Sequence, residues 1–354
     1  MPAAPEGRSP PIGERWRSAV GSARSLVVYY GNPMRQWRMD RLYSNFVRED
    51  DLVFDIGSHV GDRIGSFRRL GCRVVAVEPQ PRLVRILRRF YGRDPDVVIE
   101  SMAIAAAPGN VELFVNLDNA SLTTASSGFV AAASAAPGWR GERWPGRLFA
   151  PAITLDQLIE HHGEPIFAKI DVEGFEAEAL AGLSRPLQAL SFEFTTILRR
   201  VAIDCVTRCQ ALGAYRYNAA LGETQRLAFT QWVDAEAIER WVEALPDSAN
   251  SGDIYARLRV PGNPPRNLVH GQPNFSGTID GTFTAFDDQE LKPLWSFNVG
   301  TAITAAPISY AVGGKQFIAV HVGGGNPWNI GLLKAAPELQ NLEGGSSLFV
   351  FALD

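Results

Sequence analysis

The chain has 354 residues, 46% hydrophobic and 20% charged, which is ample for a sizeable core and more than one average domain needs. A formal net charge of −4 gives no general excess of cations to meet a phosphate backbone or an anionic lipid surface, so neither nucleic acid nor membrane is an expected partner. No run approaches the roughly 18 to 20 apolar residues of a spanning helix, and the opening MPAAPEGRSPPIGERWRS places Pro, Arg and Glu where an export signal needs a continuous apolar stretch; the expectation is a soluble, cytoplasmic protein.

The first 44 residues interleave Arg15, Arg17, Arg24, Arg35, Arg38 and Arg41 with Trp16, Tyr29, Tyr30 and Trp37, which predicts a helical arm. Two uses of it stand: packing on the following domain, or a lid over an anionic or sugar acceptor. From about 45 to 258, short apolar runs alternate with amphipathic stretches, the pattern of a parallel sheet covered by helices. LVFDIG is a buried strand, a helix follows over about Val60 to Leu70, and CRVVAVEP is a second buried strand. PRLVRILRRFYG sets Leu83, Ile86, Leu87 and Phe90 at helical spacing. VVIESMAIA reads as a third strand and GNVELFVN as a strand or hairpin beyond it, after which 120–150 reads as an Ala/Ser/Gly/Trp-rich loop. TLDQLIEHHG is a short helix capped by Thr154 or Asp156. FAKIDVEG, ALSFEF, YRYNAAL and DIYARL complete the strands, with helices over EAEALAGL, ILRRVAIDCVTRCQALG and AEAIERWVEAL between them. The expected fold is α/β with seven strands, the last two forming an antiparallel pair.

Before residue 261 the only lysine is Lys169; afterwards Lys292, Lys315 and Lys334 replace arginine, glycine grows denser and helical periodicity stops. A linker is expected at 259–276 and a β-rich segment at 277–354, amounting to one blade of antiparallel sheet or slightly more. Cys72, Cys205 and Cys209 cannot all pair with one another and have no clustered His or Cys to complete a zinc site, so reduced structural thiols are expected.

The chemistry is carried first by DIGSHVG, Asp55 to Gly61, at the end of the first strand. Glycines there let a ligand approach the backbone, and amides at a helix start meet a carboxylate or phosphate. The spacing differs from the dinucleotide fingerprint, since His59 stands where its middle glycine would be. Glu78, at the end of the second strand, is a carboxylate placed to accept from both hydroxyls of a ribose. Together they predict a nucleoside pocket.

These residues, with ITLDQLI, KIDVEGFEAEALAG, SFEF and GDIYARL, resemble the FkbM family of S-adenosylmethionine-dependent methyltransferases over about 45–258. The resemblance implies a class I, Rossmann-like methyltransferase fold and methylation of a hydroxyl on a sugar, polyketide or related metabolite. It implies that Asp55, Gly57 and Gly61 line the methionine end of S-adenosylmethionine, that Glu78 holds the ribose, and that Ser101 and Met102 lie near adenine. His59 stands where the family more often has Asn; it either hydrogen-bonds the cofactor or fills space. The expected acceptor side is the carboxyl end of the later strands, where Asp171 and Glu173 are the best-placed candidates for the proton acceptor, Asp171 favoured. Lys169 shares a strand face with Asp171, and two roles stand: holding Asp171 ionised or orienting an acceptor, and a plain ion pair at a strand end. Glu193 is a further strand-end carboxylate. Asp171, Glu173 and Glu193 are hard oxygen ligands of the kind magnesium takes, but no tight ligand motif accompanies them and no metal is assigned. The runner-up function is a non-catalytic protein that keeps a nucleoside pocket.

Residues from about Phe275 to Leu353 resemble the closing blade of PQQ-dependent quinoprotein alcohol dehydrogenases, with Ala285, Asp287, Lys292 and Trp295 matching its docking motif and Leu291 standing at the usual glycine. One repeat cannot close a propeller, so a quinoprotein oxidoreductase is the remote alternative. The expectation is a fusion remnant whose Trp295, Phe297, Phe317 and Trp328 have no neighbouring blade, leaving docking on the first domain, self-association or exposure to cover them.

Overall fold

The computed structural model describes residues 33–259 without a break and, beyond them, 274–277, 281–286, 293–300, 303, 307–312, 315–323 and 346–353. The chain divides into two compact units, Met1–Pro265 and Arg266–Asp354.

In the first unit, helix α1 (Pro33–Tyr43) leads into β1 (Leu52–Ile56), α2 (Asp62–Arg69), β2 (Arg73–Val77), α3 (Pro81–Tyr91) and β3 (Val97–Glu100). Later come α5 (Leu155–His162), β7 (Phe167–Ile170), α6 (Glu176–Ala181), β8 (Ala189–Thr195), α7 (Arg199–Leu212), β9 (Tyr215–Leu221), α8 (Ala235–Ala244) and β10 (Ser251–Leu258). Seven of these strands form one sheet in the order β3-β2-β1-β7-β8-β10-β9. The first five are parallel, whereas β10 runs antiparallel to both neighbours and lies between them. This is the seven-stranded, Rossmann-like architecture expected of a class I methyltransferase. The carboxyl ends of β1 and β7 meet where the strand order reverses direction, the place where open α/β sheets bind ligands.

The strand sequences are apolar throughout because both faces are covered. One residue parity, Phe54, Ile56, Ala168, Ile170, Leu190 and Phe192, packs in a core with Leu158, Leu180, Cys205 and Ile238 of α5 to α8. The other parity, Val53, Val74, Ala76, Phe167 and Tyr255, packs with Met39 and Tyr43 of α1 and Ile64 and Phe67 of α2. Thus the described part of the N-terminal arm is a helix sealed into the core; residues 1–32 lie outside the described region. All three cysteines are free and buried. Thr154, not Asp156, caps α5, in a reciprocal box with Gln157.

Two expectations are corrected. VVIESMAIA is not one strand: it breaks after β3, and β4 (Ala103–Ile104) joins a separate three-stranded sheet with β5 (Gly109–Val115) and β6 (Gly146–Ile153). Nor is 120–150 a plain loop. It holds α4 (Ser127–Ala135), capped by the Ser126 hydroxyl, and the start of β6. Its ordering comes from a cluster in which Phe129 meets the edges of Trp139 and Trp144 at 5.4 and 6.1 Å, a pattern without the helical or alternating period that sequence reading detects.

The described residues of the second unit form two small antiparallel sheets. Strands β11 (Asn274–Gly277), β12 (Thr282–Phe286) and β13 (Pro293–Asn298) form one antiparallel sheet. Strands β14 (Ile308–Val312), β15 (Lys315–Gly323) and β16 (Ser346–Leu353) form another. Phe283, Ile318, Val320 and Val322 are buried in a core shared by both sheets. Trp295, expected to lack a cover, lies 5.3 Å from Phe351 of the opposite sheet and is partly buried against it, whereas Phe297, 5.7 Å from the same ring, stays 47% exposed. Trp328 lies outside the described residues.

Candidate active site

The turn after β1 is built by two backbones in contact. Gly57 takes a left-handed conformation at φ 81°, and its amide and that of Ser58 donate to the Val77 carbonyl of β2 at 2.9 and 3.1 Å. On the other side, the Asp171 amide donates to the Ile56 carbonyl at 3.0 Å. A β-carbon on Gly57 would lie 1.8 Å from the Asp171 carbonyl oxygen. The glycine is therefore required by the neighbouring loop rather than by ligand approach. Gly61, at φ 85°, has a comparable reason: a β-carbon there would meet Tyr91 and Leu87 of α3 at 2.7 and 2.9 Å. Gly61 is absent from the cavity wall, whereas Asp55, Gly57 and His59 line it. Glu78, 3% exposed, accepts from the His59 amide at 3.0 Å and from the Gln80 amide at 2.9 Å, one bond to each oxygen, and so ties the turn to the end of β2. Burial pushes its carboxyl up to about 7 against the pull of those amides, and burial likewise raises Asp55 to about 7.

Sheet register sets the rest of the site. Asp55 of β1 pairs across to Lys169 of β7, and Asp253 of β10 pairs across to Glu193 of β8. Two neighbouring rows of polar side chains result, Asp55, Lys169 and Ser191 in one and Glu193 and Asp253 two residues further along in the other. The Lys169 ammonium, 1% exposed, donates to Asp171 at 2.7 Å and lies 3.3 Å from Asp253. Burial works against its charge, but the two carboxylates outweigh it and hold Lys169 well above its ordinary value. Burial also raises Asp171, yet the Lys169 charge and hydrogen bond leave it lowered, an ionised carboxylate. Glu173 and Glu193 go the other way: burial first, then the negative charge of Asp171, push both well above the usual range. Oxygens of Asp171, Glu173 and Glu193 all lie within 4.8 Å of one another.

Glu173 reaches this cluster at a backbone cost. It sits at φ 56°, a left-handed position uncommon for a side-chain-bearing residue. The Thr124 hydroxyl donates to its carbonyl at 2.6 Å. Buried Glu176 accepts from the Val172 and Gly174 amides at 2.9 and 3.2 Å, stitching the loop on either side of it. Asp55, Gly57, Glu78, Met102, Lys169, Asp171, Glu173 and Glu193 line one cavity of about 250 Å³, whereas Thr124, Glu176 and Asp253 are not part of its wall.

Residues 55–244 match the model of the methyltransferase FkbM domain, more than half of the chain. The chain belongs to the FkbM methyltransferase family. Among its relatives, the hexuronic acid methyltransferase AglP of Haloferax volcanii is 28% identical over 172 residues, covering 48% of this chain and 64% of the relative. A C-terminal segment matches the cytochrome c-linked 1-butanol dehydrogenase of Thauera butanivorans at 42% identity over 80 residues, 22% of this chain and 12% of the dehydrogenase. The chain thus spans about an eighth of that dehydrogenase and just under two thirds of AglP. A TehB-like S-adenosylmethionine-dependent methyltransferase from Corynebacterium glutamicum superposes with a TM-score of 0.38 at 11% identity, covering 69% of this chain and 99% of that one; the fold assignment rests on strand order instead.

The FkbM domain is an S-adenosylmethionine-dependent methyltransferase domain. The residues present suit that cofactor. The Asp55 Oδ2, Thr123 Oγ1 and Glu193 Oε2 atoms are buried without a hydrogen-bond partner among the described residues, and all three side chains line the cavity. A wall this rich in carboxyls suits a sulfonium and an ammonium. Each Glu78 oxygen retains acceptor capacity beyond its one amide. Of the residues expected to lie near adenine, Met102 lines the cavity and Ser101 does not. Sequence reading passed over Asp253, Glu176 and Thr124, although GDIYARL and KIDVEGFE contained the two acids; nothing short of sheet register and loop geometry assigns them partners. It also passed over a charged wall in which Arg35 binds Asp62 and Glu223, and Arg63 binds the same two carboxylates.

Proposed function

We propose that this chain methylates a hydroxyl of a sugar, glycan or related metabolite, with Asp171 as the proton acceptor and Lys169 as the group that keeps it ionised. The observation that carries the reading is that the Asp55–Gly57 turn, Glu78 and the Lys169–Asp171 pair share one cavity at the carboxyl ends of the strands. The name of AglP, a hexuronic acid methyltransferase, supports a sugar as the acceptor class.

In this reading Asp55 and the turn hold the amino-acid end of S-adenosylmethionine and Glu78 its ribose. The cofactor supplies an electrophilic methyl carbon. The protein's task is to hold the acceptor oxygen in line with that carbon and take its proton as the new oxygen–carbon bond forms and the sulfur–carbon bond breaks. Asp171 is ionised to receive the proton because the buried ammonium lies 2.7 Å away. Glu173 and Glu193 are proton-bearing neighbours that offer hydrogen bonds to other acceptor oxygens.

The test is transfer of labelled methyl from S-adenosylmethionine to a panel of sugars, glycans and polyketides, beside calorimetry with S-adenosylhomocysteine. Transfer to a hydroxyl supports the proposal. Tight S-adenosylhomocysteine binding with no transfer across the panel favours a non-catalytic nucleoside-binding protein, and absence of binding removes the site.

A further inference from the structure

The cavity has an electrostatic character that narrows the acceptor beyond a hydroxyl-bearing sugar. Two cationic side chains, Lys169 and Arg63, line it. Lys169 is matched to Asp171 and Asp253 at 2.7 and 3.3 Å, two carboxylates to one ammonium. Arg63 and its neighbour Arg35 share Asp62 and Glu223, two cations to two carboxylates. Arg35, Asp62 and Arg63 are nearly sealed, with side chains about 10% exposed, while the Glu223 side chain is 48% exposed at the rim. His59 adds no charge, since burial lowers its basicity. Among the described residues, then, every cation of this wall is already balanced, and each further carboxyl in the cavity that ionises makes it negative. A carboxylate or phosphate brought here loses its hydration and finds no unmatched cation. Neutral hydroxyls fare better: Thr195, Asn250 and Ser251 are polar and uncharged, and Trp139 adds an aromatic surface to the same wall.

We propose, resting on the reading above, that the acceptor is an uncharged sugar ring rather than a uronate or sugar phosphate, and that Glu223 sets this preference by neutralising Arg35 and Arg63. The relative named for hexuronic acid would then differ from this chain in acceptor charge, within one family.

The experiment uses the full-length protein and matched acceptors, the methyl glycosides of glucose, galactose and mannose beside the corresponding methyl glycosiduronates. Labelled methyl transfer and binding to the S-adenosylhomocysteine-loaded protein are both measured. The expected result is at least tenfold preference for the neutral member of any pair that binds, narrowing as salt is raised. In Glu223→Gln the ratio of uronate to neutral binding should rise by about tenfold, because a guanidinium charge is left partly unmatched; S-adenosylhomocysteine binding confirms that the variant is folded. Equal or tighter binding of the uronates by the wild type overturns the proposal, as does a loaded protein that binds no ring of either kind or a folded Glu223→Gln with an unchanged ratio. If Glu223→Gln does not fold, the wild-type pairs and their salt dependence decide. Failure to bind S-adenosylhomocysteine at all would instead strike the proposed function.

Discussion

Replacing Gly57 by alanine probes the contact between the β1 turn and the β7 loop directly. The new methyl carbon would lie 1.8 Å from the Asp171 carbonyl oxygen and 2.8 Å from its carbon. Both are backbone atoms, so no side-chain rotation relieves the clash. Real contacts of this kind are not closer than 3.0 Å, so the two segments must part by about 1.2 Å. Holding alanine at φ 81° adds roughly 1–2 kcal/mol of strain, and overpacking adds roughly 1–3 kcal/mol. The expected destabilisation is about 2–5 kcal/mol, which in a unit of this size lowers Tm by roughly 5–15 °C. Moving Asp171 by about 1 Å from its working position should cost about 100-fold in transfer rate even where the variant still folds. Differential scanning fluorimetry, calorimetry with S-adenosylhomocysteine and a labelled-methyl assay give the three readouts. A Gly57→Ala protein with wild-type Tm, affinity and rate would refute the contact and the site built on it.

Other expectations follow from the same geometry. Burial raises the carboxyls of Asp55, Glu78 and Glu176 to about 7 in the folded chain, against about 4 unfolded. The stability contributed by those protons is fully present below about pH 4 and is lost as pH rises through about 7. The ligand-free protein should therefore melt at lower temperature at pH 8 than at pH 5, and a flat or opposite trend would count against the burial of these groups. S-adenosylmethionine, a cation at sulfur, favours the ionised forms, so its affinity should climb between pH 6 and 8, by up to about tenfold per unit for each group; calorimetry in buffers of different ionisation heat should register proton release. Asp171→Asn should leave S-adenosylhomocysteine affinity nearly unchanged and lower the transfer rate by about 10²–10⁴, whereas a wild-type rate would remove Asp171 from the mechanism. Limited proteolysis should separate the two units and leave a fragment that still binds S-adenosylhomocysteine; a second unit as resistant as the first would contradict this.

The central sheet was legible because its strands carry doubly buried apolar runs punctuated by glycine and proline, and because Asp55 and Glu78 fall at strand ends a fixed distance apart. What escaped was everything decided by neighbours far along the chain. Asp253 looked like one more residue of a terminal strand until β10 was seen inserted between β8 and β9, which brings it to Lys169. Gly57 and Gly61 were recognisable as special, but the reason, contact with Asp171 in one case and with α3 in the other, depends on packing that the local pattern does not encode. The aromatic cluster around Phe129 has no period to detect. The split of the second unit into two sheets is not legible because β15 and β16 pair across more than twenty intervening residues, which brings Phe351 onto Phe283 while Phe297, Leu348 and Val350 stay exposed.

The interior position of β10 ties assembly of the proposed site to completion of the first unit. That strand is the last of its unit to be synthesised, yet it occupies a slot with a neighbour on each side and carries the second counter-charge for the buried ammonium. Nascent chains that stop short of residue 251 would expose two strand edges and leave Lys169 one carboxylate poorer. Ribosome-bound intermediates should consequently be recognised by chaperones until β10 slots in, at which moment the sheet and the proposed site become whole together.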